Sequence, residues 1–265
     1  MAGTLRNAID RLLAEHRRGA TLVLLFDYDG TLVPLARHPA CARLPHETRH
    51  LLGALGGRPR VTVGVVSGRS LRDLRRMVGL PDLAYAGTGG LELQVGRTVL
   101  RPPRATRAPA LVSRVARDLL PALSQFRGAW VERKPLGLAI HYRAVAPRHI
   151  PAVCAAVRRL LAPFADALRL VAGPMALEVT PNLGWTKGTA VRAIASRAAP
   201  ARPSVFYAGD APGDRDAFAA TRELGGVCVG VGAGAPREAP YRVRTPEALL
   251  GVLDQLLRGL SRSAQ

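Results

Sequence analysis

Apolar positions follow two rhythms along this chain. Runs such as 21–27 and 61–66 are apolar almost throughout, the pattern of strands buried on both faces. Between them, apolar residues recur three and four positions apart, as on a helix with one buried side. The first part therefore predicts helix 4–18, strand 21–27, helix 46–56, strand 61–66, helix 70–78 and strand 83–87, then a hairpin near 91–100. Strand and helix in alternation imply βα units and a parallel sheet.

The stretch "RPPRATRAP" reads as a linker, and the rhythm changes after it. Residues 109–125 predict a helix, 128–134 and 137–143 paired strands across Pro135–Gly137, and 147–164 a second helix. Residues 168–172 and 175–180 predict another strand pair across Gly173–Pro174. An αββαββ order suits an antiparallel sheet with its helices on one face, in a separate lobe. From 185 the βα rhythm resumes, with helix 185–197, strand 204–208, helix 214–222, strand 226–230 and helix 246–258. The expected architecture is α/β: one parallel sheet built from residues 1–105 and 181–265, with an α+β domain at 106–180 inserted between them.

Composition narrows this picture. At 48% hydrophobic and 22% charged residues, the 265-residue chain has the balance of a folded protein. No run approaches the roughly 20 apolar residues of a membrane span. The first helical segment carries acids and lacks an apolar h-region, so no signal peptide and a cytoplasmic location are expected. Cys41, Cys154 and Cys228 are far apart, which argues against a disulfide framework or a zinc site. The formal charge of +19 raises nucleic acid as a partner. However, the arginines are scattered and aromatics make up only 5%, too few for a base-stacking platform, so no nucleic-acid partner is expected. The positive field would instead serve an anionic substrate. Of the 38 Lys and Arg residues only Lys134 and Lys187 are lysines, which draws attention to both positions.

Four spots at strand ends or helix starts carry candidate chemistry, and in open α/β sheets that edge is where ligands bind. In "LFDYDGTLVPL" an apolar run ends in Asp27 and Asp29. Asp-Gly is also ordinary turn chemistry, but one carboxylate can attack phosphorus while another manages the proton. Two close carboxylates repel, which calls for a cation, and Mg²⁺ suits carboxylate and phosphate oxygens. "VTVGVVSGRS" places Ser67, Gly68 and Arg69 before a helix, where a phosphate can bind. Taken alone, that stretch is better read as a plain helix cap by Ser67 or Ser70. "GWTKGTAV" starts a helix at Lys187, a position an exposed lysine could also occupy. "SVFYAGDAPGDRDAF" ends a strand in Asp210, with Asp214 and Asp216 following; a helix-capping acidic loop explains the last two better than the first.

The order DxDGT, Ser, Lys, GDxxxD after successive strands resembles the haloacid dehalogenase-like phosphatases. The resemblance implies a Rossmann-like core with a C2-type cap at 106–180. It makes Asp27 the nucleophile, Asp29 the general acid/base, and Ser67, Gly68, Arg69 and Lys187 the phosphate-binding group. Mg²⁺ is expected between Asp27, the Asp29 backbone carbonyl and Asp210, with Asp214 nearby. From about residue 21 the chain is similar to the trehalose-6-phosphate phosphatases, through "VERKPLGLAIHYR", "GPMALEVTPNLGWTKGTAV", "GDAPGDRDAF" and "AGTGGLEL". That similarity implies hydrolysis of trehalose 6-phosphate, with Glu132, Lys134 and Glu178 on the sugar, and leaves room for coupling to a trehalose-6-phosphate synthase.

Glu132 and Lys134 share one strand face and suit sugar hydroxyls. A charge pair on a solvated face is the plainer reading of these two residues alone. For His141 and Arg143 a structural role is equally open. The chain departs from the family pattern at Gly89, where a histidine is usual, at Pro174, where a lysine is usual, and at Ala211, where an aspartate is usual. The first two remove groups that could touch substrate. Another sugar phosphate, such as a glucosylglycerol or sucrose phosphate, is therefore the alternative ester, and binding without turnover the alternative class.

Overall fold

The chain opens on α1 (Leu5–Arg17), whose first turn is capped by the Thr4 hydroxyl accepting from the Asn7 amide, and runs into β1 (Thr21–Phe26). The computed structural model describes residues 3–262 apart from Arg37, Pro174, Pro200 and Arg202. After β1 come α2 (His46–Gly56), β2 (Val61–Val66), α3 (Leu71–Val78), β3 (Ala84–Gly87) and the hairpin β4 (Glu92–Val95) with β5 (Thr98–Leu100). The inserted part comprises α4 (Ala108–Leu123), β6 (Trp130–Lys134), β7 (Gly137–His141), α5 (Ile150–Leu161), β8 (Leu168–Gly173) and β9 (Ala176–Pro181). The chain returns through α6 (Lys187–Ala198), β10 (Pro203–Gly209), α7 (Arg215–Glu223), β11 (Val227–Val231), β12 (Tyr241–Val243) and α8 (Pro246–Ser261).

The large sheet has eight strands in the order β12-β11-β10-β1-β2-β3-β4-β5. It is parallel from β12 to β3 and antiparallel at the β4 and β5 edge. β1 lies between β10 and β2 because both of its faces are apolar. Leu22, Leu24 and Phe26 pack under α1, α2, α3 and α8, and Val23 and Leu25 pack under α6 and α7. Each such side chain contributes roughly 2 kcal/mol by leaving water. β2 and β3 follow β1 on one side, while β10, β11 and β12 extend the sheet on the other. That reversal of direction opens a crevice at the C-terminal end of β1.

The second sheet is antiparallel, in the order β6-β7-β9-β8. Leu138, Ile140, Leu177 and Val179 point from it into an apolar core under α4 and α5. Its opposite face looks onto the crevice. Where the chain crosses between the two sheets, Leu91, Ala105, Ala108 and Leu136 form a small apolar seal with Leu183 and Trp185.

The expected elements recur with shifted ends. The helix expected over 147–164 is trimmed to α5 by short 3-10 turns at Pro147–His149 and Ala162–Phe164, each containing a proline that cannot donate to a helical ladder. The expected linker winds into a 3-10 turn, Pro103–Arg107, leading directly to α4. β12 was not anticipated, since three residues at a sheet edge leave too short a pattern to read. Pro174, in the expected β8–β9 turn, lies outside the described residues. Among the described residues no helix is long and apolar enough to cross a membrane.

The second crossing ends in a tight cap. The Thr186 hydroxyl accepts from the amides of Gly188 and Thr189, while Thr189 returns a hydroxyl to the Thr186 amide, so α6 begins at Lys187 with its first turn fixed. Thr186→Ala is expected to lower stability by about 1 kcal/mol in urea unfolding, with Thr186→Ser restoring most of it.

Candidate active site

The four candidate spots meet at the C-terminal edge of the parallel sheet, beneath the cap. A cavity of about 240 Å³ is lined by Asp27, Asp29, Ser67, Gly68, Arg69, Lys187 and Asp210 from the core and by Glu132, Lys134 and Glu178 from the insert. Asp27 continues β1, its amide donating to the Ala208 carbonyl of β10 at 2.9 Å. Tyr28, fully buried, turns the chain by donating its hydroxyl to the Ala42 carbonyl.

Lys187 lies at the centre of the charge. Its Nζ is 2.6 Å from Asp27 Oδ1 and 2.7 Å from Asp214 Oδ1, so it is a largely covered, ion-paired group and not a surface lysine. Asp214 is 0% exposed and also accepts from the Tyr207 hydroxyl at 2.7 Å and from the amides of Asp210 and Ala211 at 3.1 Å. Two glycines make this packing possible. A Cβ at Gly209 would lie 2.5 Å from Asp214 Cγ, and one at Gly30, where φ is +84°, would lie 2.1 Å from Asp210 Oδ2. The departure at Ala211 is explained by the same contacts, because that position serves Asp214 through its backbone N–H.

Asp27, Asp210 and Asp214 bring carboxylate oxygens within 4.8 Å of one another around one ammonium group. Burial pushes Asp27 up to about 7, with Asp214 adding to the effect and Lys187 opposing it. Burial, then the Asp27 and Asp214 charges, push Asp210 up to about 9. Burial alone would lower Lys187, but Asp214 and Asp27 outweigh it and hold the ammonium above its ordinary value. Asp210 Oδ1 is buried and has no hydrogen-bond partner among the described residues. Three carboxylates, one lysine and an unpartnered oxygen fit a hard divalent cation with oxygen ligands.

Asp29 is aimed by Arg69, whose Nε and Nη2 each donate to one of its oxygens at 2.7 Å. The same guanidinium donates to the Pro39 carbonyl and lies over the Tyr28 ring, 5.3 Å from its centroid. Arg69 is thus engaged with the second aspartate while lining the cavity. The two readings of the serines divide between them: Ser70 caps α3 by accepting from the Asp73 amide, and Ser67 lines the cavity.

The insert reaches down with its own polar face. Lys134 donates to the Gly68 carbonyl at 2.9 Å and to Glu178 at 2.6 Å, linking the cap to the loop between β2 and α3. Glu132 accepts from His141 Nε2 at 2.7 Å; this bond and the Lys134 charge override burial and hold Glu132 below its ordinary value. Glu132 and Lys134 thus each take a partner from another strand, His141 on β7 and Glu178 on β9, and both line the cavity. Tyr207, Arg169, His38 and Trp130, which sequence reasoning passed over, join Arg143, His141 and Asp216 around the cleft. Tyr207 holds Asp214, Arg169 bridges β8 to Asp216 at 2.6 Å, and Arg143 donates to the Ala36 carbonyl. His38, Trp130 and His141 form a ring stack. Only long-range pairing reveals them. Gly89 lines the cavity with no side chain, at φ +66° in its turn.

The family model for trehalose-phosphatase matches residues 25–246. The chain is 35% identical over 201 residues to a trehalose-phosphate phosphatase of Mycobacterium tuberculosis, covering 74% of this chain and 50% of that protein. It is 34% identical over 266 residues to an uncharacterized glycosyl hydrolase of the same species, covering 97% of this chain and 19% of that protein. The chain thus spans half or less of the length of these curated relatives. The C-terminal domain of Candida albicans trehalose-6-phosphate phosphatase superposes with a TM-score of 0.84 at 21% identity, over 97% of this chain and 98% of that one, a likeness of fold. With the family match spanning both halves of the core and the insert between them, the chain belongs to the trehalose-phosphatase family.

Proposed function

We propose that the protein hydrolyses trehalose 6-phosphate to trehalose and phosphate through an aspartyl-phosphate on Asp27. The carrying observation is that Asp27, Lys187 and Asp210 line one cavity with the polar face of the cap, while the buried Asp214 holds Lys187 from behind. An Asp27 oxygen attacks phosphorus, the bond from phosphorus to the sugar oxygen breaks, and Asp29 gives that oxygen its proton. Asp29 then takes a proton from water as the water attacks the acylphosphate, which releases phosphate and restores Asp27. Lys187 offsets charge on the transferring group from a fixed position, and Ser67 donates to one of its oxygens. Asp27, the Asp29 carbonyl and Asp210 would hold Mg²⁺ with Asp214 behind them, and the bound ion would neutralise phosphoryl oxygens. The Arg69 fork positions Asp29 for both proton transfers. Glu132, Lys134 and Glu178 bind sugar hydroxyls, and the cap over the cleft keeps bulk water out. The lack of a side chain at Gly89 favours, as second reading, the same chemistry on another sugar phosphate.

Phosphate release from trehalose 6-phosphate beside a panel of sugar phosphates, with and without Mg²⁺, tests the reading. Mg²⁺-dependent release from trehalose 6-phosphate is expected. Asp27→Asn should lower it by about 10³-fold or more and Asp29→Asn by about 10²- to 10⁴-fold. Release from a different ester alone would transfer the mechanism to that substrate, and no release from any ester would refute the phosphatase.

A second expectation concerns stability. Asp27 and Asp210 bind protons more tightly in the folded protein than in the unfolded chain, where both titrate near 3.8. Their contribution to stability is full below that value and declines as pH rises through about 7 and about 9. Melting temperature in a chelator should therefore fall between pH 5 and pH 9, and Mg²⁺ should restore more of it at the alkaline end. A melting temperature indifferent to Mg²⁺ at pH 9 would contradict this.

A further inference from the structure

Register on the cap sheet lays its cleft-facing side chains in rows. Trp130 pairs with His141, His141 with Ala176, and Ala176 with Gly173, across β6, β7, β9 and β8. The next row is Glu132, Ala139, Glu178 and Val171, and the third is Lys134, Gly137, Thr180 and Arg169. The first row begins with aromatic rings. Trp130 and His141 lie 4.2 Å apart at 15°, close to the strand spacing of roughly 4.8 Å, so the stack runs across the strands. On its other face Trp130 carries His38 of the core, 5.2 Å away and 4° from parallel. Beyond His141 the row continues as a methyl and a glycine, both on the cavity wall.

From this geometry we infer that the open face of His141, above Ala176 and Gly173, seats the pyranose ring that does not carry the phosphate, with Trp130 and His38 backing it. The inference rests on the proposed action on a disaccharide phosphate. A pyranose ring has an apolar C–H face that stacks on a flat ring and a hydroxyl rim that needs acceptors. Glu132 and Glu178, one row along, supply those acceptors, and the bond from His141 to Glu132 fixes both groups. Lys134 marks the phosphate end, because it touches Gly68 beside Ser67. Trp130 lies four residues from it along β6, about 13 Å. Two linked sugar rings span that distance and one does not. Because His38 comes from the core, the backing is complete only with the cap over the cleft.

The test measures binding of trehalose 6-phosphate and glucose 6-phosphate by calorimetry in the full chain carrying Asp27→Asn, so that neither is consumed. Filling the seat with Ala176→Leu should lower the ratio of the two affinities, disaccharide over monosaccharide, by about tenfold or more. Gly173→Val is the gentler variant, since, among the described residues other than its chain neighbours, a Cβ there meets nothing closer than the Ala176 carbonyl oxygen at 3.7 Å, and it should shift the ratio in the same direction. His141→Ala should do so as well. An unchanged ratio in folded Ala176→Leu or Gly173→Val protein would overturn the seat, as would failure of the parent to bind either ligand. Failure of the phosphatase reading would register separately, as absence of phosphate release by the wild-type protein.

Discussion

Everything at the catalytic edge depends on holding three carboxylates and one ammonium out of water at the end of the central strand. Burying an ion costs several kcal/mol, and attraction offsets this only when the remaining lone pairs and protons are satisfied. Asp214 shows how the fold meets that condition. Tyr207, two amides and Lys187 saturate it, so it behaves as a fixed negative anchor for the lysine. Asp27 and Asp210 are less completely served, and their raised proton affinities follow. The site therefore carries a deficit of positive charge that a cation and a cation-bound phosphoryl group would share. Stability has been given up locally, and the apolar strand beneath, flanked on both sides, is what makes that tolerable.

The cap solves a related problem in another way. Its charged groups are distributed in short pairs that cross from one structural unit to the other: Lys134 with the Gly68 carbonyl, Arg169 with Asp216, Arg143 with the Ala36 carbonyl. Such contacts are directional and individually modest, so they fix the orientation of the cap without the large apolar interface that would make it immovable. The apolar seal is confined to the crossings, where Leu136 meets Leu91 and Ala105. The polar groups that join cap to core also line the cleft, so the contacts that orient the cap shape the cavity as well.

What was legible in the chain is what local pattern encodes. β1 could be read because five successive apolar residues, Leu22 to Phe26, are buried on both faces, and the cap sheet because turns separate its strands. Asp27, Asp210 and Lys187 stood out because each ends a strand or starts a helix in a recurrent order. Arg69 was legible as a site residue, but its bond to Asp29 was not, since it joins positions 40 residues apart. Trp130 and His38 were hidden for the same reason. An indole on a strand reads as core or edge alike until a partner from another unit lies on it. β12 was lost to brevity.

The two lysines connect these observations. In a chain that otherwise uses arginine for its basic positions, both lysines are largely covered at the cleft, each bridging two oxygens at 2.6 to 2.9 Å. A guanidinium is a broad planar fork, suited to one carboxylate seen edge-on, and Arg69 uses it in that way on Asp29. An ammonium group is compact and directs three protons to separate acceptors. Between Asp27 and Asp214, the fork would widen the distance over which the two carboxylates share one charge. Between Gly68 and Glu178 it would lift the cap from the loop between β2 and α3. At both places geometry, and not charge alone, requires the smaller cation.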